Sequence, residues 1–193
     1  MKNVRPLTEF ENLEACDEEL KRVFHELYPD VNKVRAFSTY VSVDHPDFFD
    51  RCPITVNQFK KMGLTVRYCY MITITPNMIR SSPEQPSAIH IDVKTAPIRI
   101  HWPVYNADSV MTTWFKYNGN SEQHDIIANS TGALYIPIEP EDCTPIEQHC
   151  FRGPTVFRVD VPHEALPIPG MPLPRMAFSF DFHEREVVKA LLQ

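Results

Sequence analysis

Short segments rich in β-branched and aromatic residues recur through most of the chain, some of them alternating apolar and polar with period two, and helical spacing is confined mainly to its first third. Leu20, Val23, Phe24 and Leu27 recur at three- and four-residue intervals. They define one face of a helix over 18–27, with Asp17 in the capping position and Pro29 beyond its end. A second short helix is expected over 56–62, closed by Gly63. Elsewhere β-branched and aromatic residues cluster over 34–43, 64–75, 88–93, 97–104, 110–117, 133–138, 155–161 and 175–182. Turn-forming residues separate them at 81–83, 118–120 and 139–141, and in the proline-rich run 167–174. Residues 184–192 predict a short closing helix. Short strands with helices gathered at the start predict a mainly β domain, a β-sandwich or jelly roll. The expected organisation is a single domain over 1–193, with 1–63 as partly helical support and 64–183 as the jelly-roll core.

Eighteen prolines against five glycines agree with that pattern. Proline fixes φ and lacks a ladder donor, so it breaks long helices and favours short strands joined by turns. The 193 residues, 43% hydrophobic and 23% charged, suffice for one core and exclude a disordered, collagenous or coiled-coil chain. A net charge of −6 disfavours nucleic acid as a partner, because phosphate contacts need Lys and Arg, although a local basic patch is compatible with it. No run approaches the roughly 18 apolar residues of a membrane span, and no apolar leader follows Met1. Cys16, Cys52, Cys69, Cys143 and Cys150 are odd in number and form no Cys-x-x-Cys pair. The expectation is a reduced, cytoplasmic protein without a disulfide framework. Cys143, His149 and Cys150 offer zinc donors, but at no usual spacing and without a fourth ligand.

Three strands carry ionisable groups where alternation puts them on one face. In the first, His90 and Asp92 project from one side and Ile89, Ile91 and Val93 from the other. His45, Pro46 and Asp47 repeat the His-x-Asp spacing, but the central proline reads as a loop. In the second, Arg99 and His101 share a face opposite Ile98, Ile100 and Trp102. In the third, Arg175 and Ser179 share parity, and His163 precedes them after Pro162. A solvated outer face explains each pair alone. In order, however, His-x-Asp, a distant His and Arg-x-x-x-Ser match a 2-His-1-carboxylate facial triad for Fe(II), which leaves open positions for an anionic chelating cosubstrate. An arginine fork with a serine hydroxyl suits the far carboxylate of such a ligand.

On these residues the chain resembles the 2-oxoglutarate- and Fe(II)-dependent oxygenases. It looks most like their aspartyl/asparaginyl β-hydroxylase-like branch and similar small phage or bacterial members. The resemblance covers about half the chain, over 89–182, and its telling segment is Arg99 and His101, nine and eleven residues after His90. It implies a double-stranded β-helix, the cupin-like jelly roll, with a few flanking helices. It also implies that His90, Asp92 and His163 bind iron as the catalytic centre. Arg175 with Ser179 would hold the distal carboxylate of 2-oxoglutarate, and Arg99 and His101 would sit near its keto-acid end. His149 with Arg158 is the alternative distal pair. The implied activity is an O2-dependent dioxygenase, hydroxylating a C–H bond of a small molecule or of a peptide or protein side chain. Against it stand a non-catalytic ligand-binding jelly roll, in which the triad would not converge, and a structural or assembly protein, in which these pairs would be solvated. Tyr68, Tyr70, Trp102, Trp114 and Tyr117 are candidates to line a pocket, though each also suits a core.

Overall fold

The computed structural model describes residues 2–34, 39–75, 89–93, 95–119, 125–128 and 134–193. In chain order they form β1 (Val4–Pro6), α1 (Leu13–Leu27), β2 (Thr39–Tyr40), α2 (Val41–Asp44), α3 (Phe48–Arg51), α4 (Pro53–Lys61) and β3 (Val66–Ile74). There follow β4 (His90–Asp92), β5 (Ile98–Tyr105), β6 (Val110–Tyr117), β7 (Ile127–Ala128), β8 (Leu134–Pro137) and β9 (Cys143–Cys150). Next come β10 (Thr155–Arg158), β11 (His163–Pro167), β12 (Arg175–Phe182) and α5 (Arg185–Ala190). The protein is mainly β, with two six-stranded antiparallel sheets ordered β1-β10-β5-β12-β3-β2 and β7-β8-β4-β11-β6-β9. Pairing is nested: β3 lies beside β12, β4 beside β11, β5 beside β10 and β6 beside β9. No helix among the described residues is long and apolar enough to cross a membrane.

Alternation decides how the first sheet is used. Ile98, Ile100, Trp102 and Val104 of β5 share the main core with Met176, Phe178, Phe180 and Phe182 of β12. Cys16, Leu20, Val23 and Phe24 of α1 and Phe59 of α4 belong to the same core. The apolar face therefore meets helices, and Arg99, His101, Arg175, Ser179 and Asp181 lie at the opposite parity, also buried. Val4, Trp114, Phe151, Phe157 and Val159 form a second cluster, which joins residues of both sheets. Ile89, Phe115 and Ile138 form a third, with Ile91, Tyr117 and Ile136 packed against it.

The helices depart from expectation in instructive ways. The first begins at Leu13 after Asn12, not after Asp17, because Cys16 extends the buried stripe one turn towards the N-terminus. Asp17 instead accepts a hydrogen bond from Trp102 Nε1 at 3.1 Å and pairs with Lys21 at 2.5 Å. The second expected helix is α4, opened by Pro53 and closed as expected at Gly63, whose φ of +73° favours glycine. Leu64 N–H donates to Phe59 O and Gly63 N–H to Lys60 O, each at 2.9 Å, the Schellman arrangement.

Of the expected strand 34–43, residues 35–38 lie outside the described residues, and 41–44 are helical, with Val41 fully buried against the core. The 81–83 turn and the ends at 88, 120 and 133 also lie outside them. Strand signals miss β1, β7, β9 and β11. In β9, Pro145 reads as a breaker, but the strand is an edge strand, where a missing donor is tolerated.

Candidate metal centre

β4 is short and lies between β8 and β11. Ile91 packs towards the third cluster, so His90 and Asp92 project from the other face. β11 begins at His163, whose Cα is the partner of His90. The two imidazole centroids are 4.5 Å apart, and His90 Nε2 lies 3.6 Å from Asp92 Oδ1. One ligand atom from each of His90, Asp92 and His163 lies within 4.8 Å of the others, and this is the only such group among the described residues. Donors at adjacent positions on a single ion, at bond lengths of about 2.0–2.2 Å, stand about 3 Å apart, so binding draws the three side chains inward.

The donor chemistry fits an ion as well as the spacing does. His163 is buried, and its Nδ1 donates to the Val161 carbonyl at 2.9 Å, which leaves Nε2 with its lone pair. Burial pushes its pKa down to about 4; His90 acts in the same direction, and Asp92 and the Val161 bond oppose the shift in part. The ring is therefore neutral near pH 7, as a metal ligand must be.

The first sheet supplies the other wall. His101 is cross-strand partner to Ser179 on β12 and Thr155 on β10. Arg175 Nη1 donates to His101 Nε2 at 2.6 Å, so the His101 proton resides on Nδ1. Burial, then Arg175 and Arg99, hold His101 well below its ordinary value and keep it neutral. Burial also pushes Arg175 down to about 10, still a cation near pH 7. His101 Nδ1, Arg175 Nε, Arg99 Nε and Ser179 Oγ are buried without a hydrogen-bond partner. A buried polar group left unmatched costs about 1–3 kcal/mol, so a purely structural cluster of this composition is unfavourable. The same groups are the donors that a buried dicarboxylate requires. Arg99 stacks over Tyr70 at 4.7 Å and donates to Thr95 Oγ1.

The expected site residues thus fall into two groups, His90, Asp92 and His163 on one sheet and Arg99, His101, Arg175 and Ser179 on the other. The alternative pair does not assemble. His149 sits on edge strand β9 opposite Thr112, with its ring 5.5 Å from Phe151. Arg158 instead forms a two-pronged pair with Asp160 at 2.9 and 3.0 Å. Cys143 and Cys150 lie at opposite ends of β9 and form no metal-holding group with His149. Trp102 and Trp114 are core, whereas Tyr68 and Tyr70 line an open cleft.

Some neighbours of the site carried no sequence signal. Tyr135 faces Asp92 across β8, with its ring 5.8 Å from His90 and its hydroxyl buried without a partner. Phe151 packs against His101 at 5.3 Å and lies under the Arg175 guanidinium at 5.8 Å. Asp181 continues the parity of Arg175 and Ser179, the one signal that marks it in advance.

No protein-family model and no curated protein matches the chain. Among solved structures it is similar to EvdO2 from Micromonospora carbonacea var. aurantiaca, at 14% identity and a TM-score of 0.47, over 88% of this chain and 81% of that one. A likeness of that degree assigns no function.

Proposed function

We propose that the protein is an Fe(II)- and 2-oxoglutarate-dependent dioxygenase built on a double-stranded β-helix, hydroxylating a C–H bond of a small molecule or a peptide or protein side chain. The nested pairing of β3 to β6 with β9 to β12 is the strand order of a jelly roll and supports the fold part of this reading. The observation that carries the chemistry is the convergence of His90, Asp92 and His163 to within 4.8 Å, with orphaned buried donors on the facing sheet.

His90, Asp92 and His163 would hold the iron. Two neutral imidazoles and one carboxylate leave it a net positive charge, which favours an anionic chelator. When bound with 2-oxoglutarate and O2, the iron supplies the oxidation of the C–H bond, and the cosubstrate leaves as succinate and CO2. Arg175 and Ser179 are assigned to the distal carboxylate of the cosubstrate, and Arg99 and His101 to its keto-acid end. Arg175 contributes a buried charge that stays on at neutral pH. His101 holds the Arg175 fork in place through Nε2 and presents Nδ1–H as a further donor. The Val161 carbonyl fixes the His163 tautomer. Phe151 covers the cluster and limits water beside it.

The test is succinate release from 2-oxoglutarate by the protein with Fe(II) in air, followed by NMR. The wild type is expected to turn the cosubstrate over slowly even without its primary substrate, and His163→Ala to fall to background. Background rates from the wild type, with every candidate substrate added, would remove the proposal.

A further inference from the structure

Asp181 has no part in the chemistry above. It is 3% exposed, its Oδ1 meets no donor, and no ion pair reaches it from Arg99, which is held instead by Thr95 and against Tyr70. A buried carboxylate in that state is costly unless a donor is brought to it. It lines a cleft of about 890 Å³ together with Tyr40, Tyr68, Tyr70 and Thr95. Tyr68 is its cross-strand partner, and Tyr70 faces both Ser179 and Tyr40. Tyr40 stands 4.6 Å from Tyr70 and 6.0 Å from Tyr68, perpendicular to the latter. Aromatic rings beside a carboxyl group with one unmatched oxygen are the chemistry that recognises an organic cation. Of the cations that line the same cleft, Arg67 lies over the Tyr68 ring at 5.0 Å and Arg185 stands apart; both are exposed, so solvent screens their charge, and the Tyr40 ring is left to meet a ligand.

We propose that this cleft receives the primary substrate and selects one carrying a protonated amine, inserted amine-first, with its nitrogen paired to Asp181 and packed against the tyrosines. Its role as the substrate pocket rests on the iron reading; its preference for amines does not. Arg99 stacks over Tyr70, and Tyr70 is the cross-strand partner of Ser179, so the cleft adjoins the polar face of the first sheet. The amine has two possible sources, a free metabolite or a lysine side chain in a peptide, and the chemistry at Asp181 is common to both.

The test is calorimetric titration of the full chain in EDTA, so that no metal contributes. The free-amine probe is benzylammonium, against benzyl alcohol. The peptide probe is an acetylated glycine–lysine–glycine amide, against its norleucine counterpart. At least one amine is expected to bind about tenfold or more tighter than its neutral partner, and Asp181→Asn to abolish that difference; the arm that binds identifies the source. Tyr40→Ala, at a half-exposed position, is expected to weaken the same amine several-fold and serves if the Asn variant does not fold. Equal binding of amine and neutral probes in both arms, or an amine preference that survives both substitutions, would overturn the proposal. Separate titration of Fe(II) and 2-oxoglutarate into protein freed of EDTA keeps the two readings apart: an intact iron response without amine selectivity removes only this one.

Discussion

His163 and His101 use their second nitrogen differently, and that difference assigns their roles. His163 spends Nδ1–H on the Val161 carbonyl, which leaves the Nε2 lone pair to serve as a ligand, whereas His101 accepts from Arg175 at Nε2 and keeps Nδ1–H as a donor. Both are neutral when folded, His163 down to about pH 4 and His101 well below its ordinary value. In the unfolded chain both take a proton near pH 6.5, so between about 6.5 and 4 the unfolded state binds more protons. Stability therefore falls as pH falls through that window. The melting temperature of metal-free protein should drop between pH 7 and pH 5, and His163→Gln should remove part of the drop; a midpoint unaffected by pH would contradict this. Arg175 gives the matching prediction for the cosubstrate. Arg175→Met should raise the KM for 2-oxoglutarate at least about tenfold while Fe(II) affinity stays close to wild type. Arg175→Lys should recover only part, because it restores the charge but not the fork. An unchanged KM in both would remove Arg175 from the cosubstrate site.

Elements position these residues, and their legibility depended on what holds each one. β5 and β12 were readable because they alternate without interruption and both faces are buried, which fixes the parity of Arg99, His101, Arg175 and Ser179. β11 was not, because Pro162 and the prolines after it read as a turn; its pairing with β6 and β4 makes it a strand. The position of His163 was therefore available from sequence while its setting was not. Asp181 shares the readable parity, but a lone acid near a strand end looks like a solvated face until the opposite sheet edge is in place. The cap on α4 was equally hidden, since it comes from another helix. Glu19 of α1 accepts from Ile54 N–H, Thr55 N–H and Thr55 Oγ1 at 2.9, 2.8 and 2.7 Å, satisfying donors that α4 itself leaves open. Glu19→Ala should destabilise the protein by about 2 kcal/mol in urea unfolding, since it strands buried N–H groups. A change under about 0.5 kcal/mol would show that water replaces the carboxylate there.

At the scale of the whole molecule, the first sheet reverses the usual use of an amphipathic surface. Its apolar face is covered by helices and its polar face is enclosed, so a chain of net charge −6 buries Arg99 and Arg175 together inside. That enclosure is costly unless an anion is received there, and under the proposed function the cosubstrate would be that anion. Nested pairing makes the arrangement possible by bringing His163 beside His90 from distant parts of the chain. The most direct test is an anaerobic optical titration of the protein with Fe(II) and then 2-oxoglutarate. A visible charge-transfer band is predicted only when both are present, lost in His90→Ala and weakened in Arg175→Met. Full Fe(II) and 2-oxoglutarate loading with no band, or a band that His90→Ala leaves intact, would contradict the account.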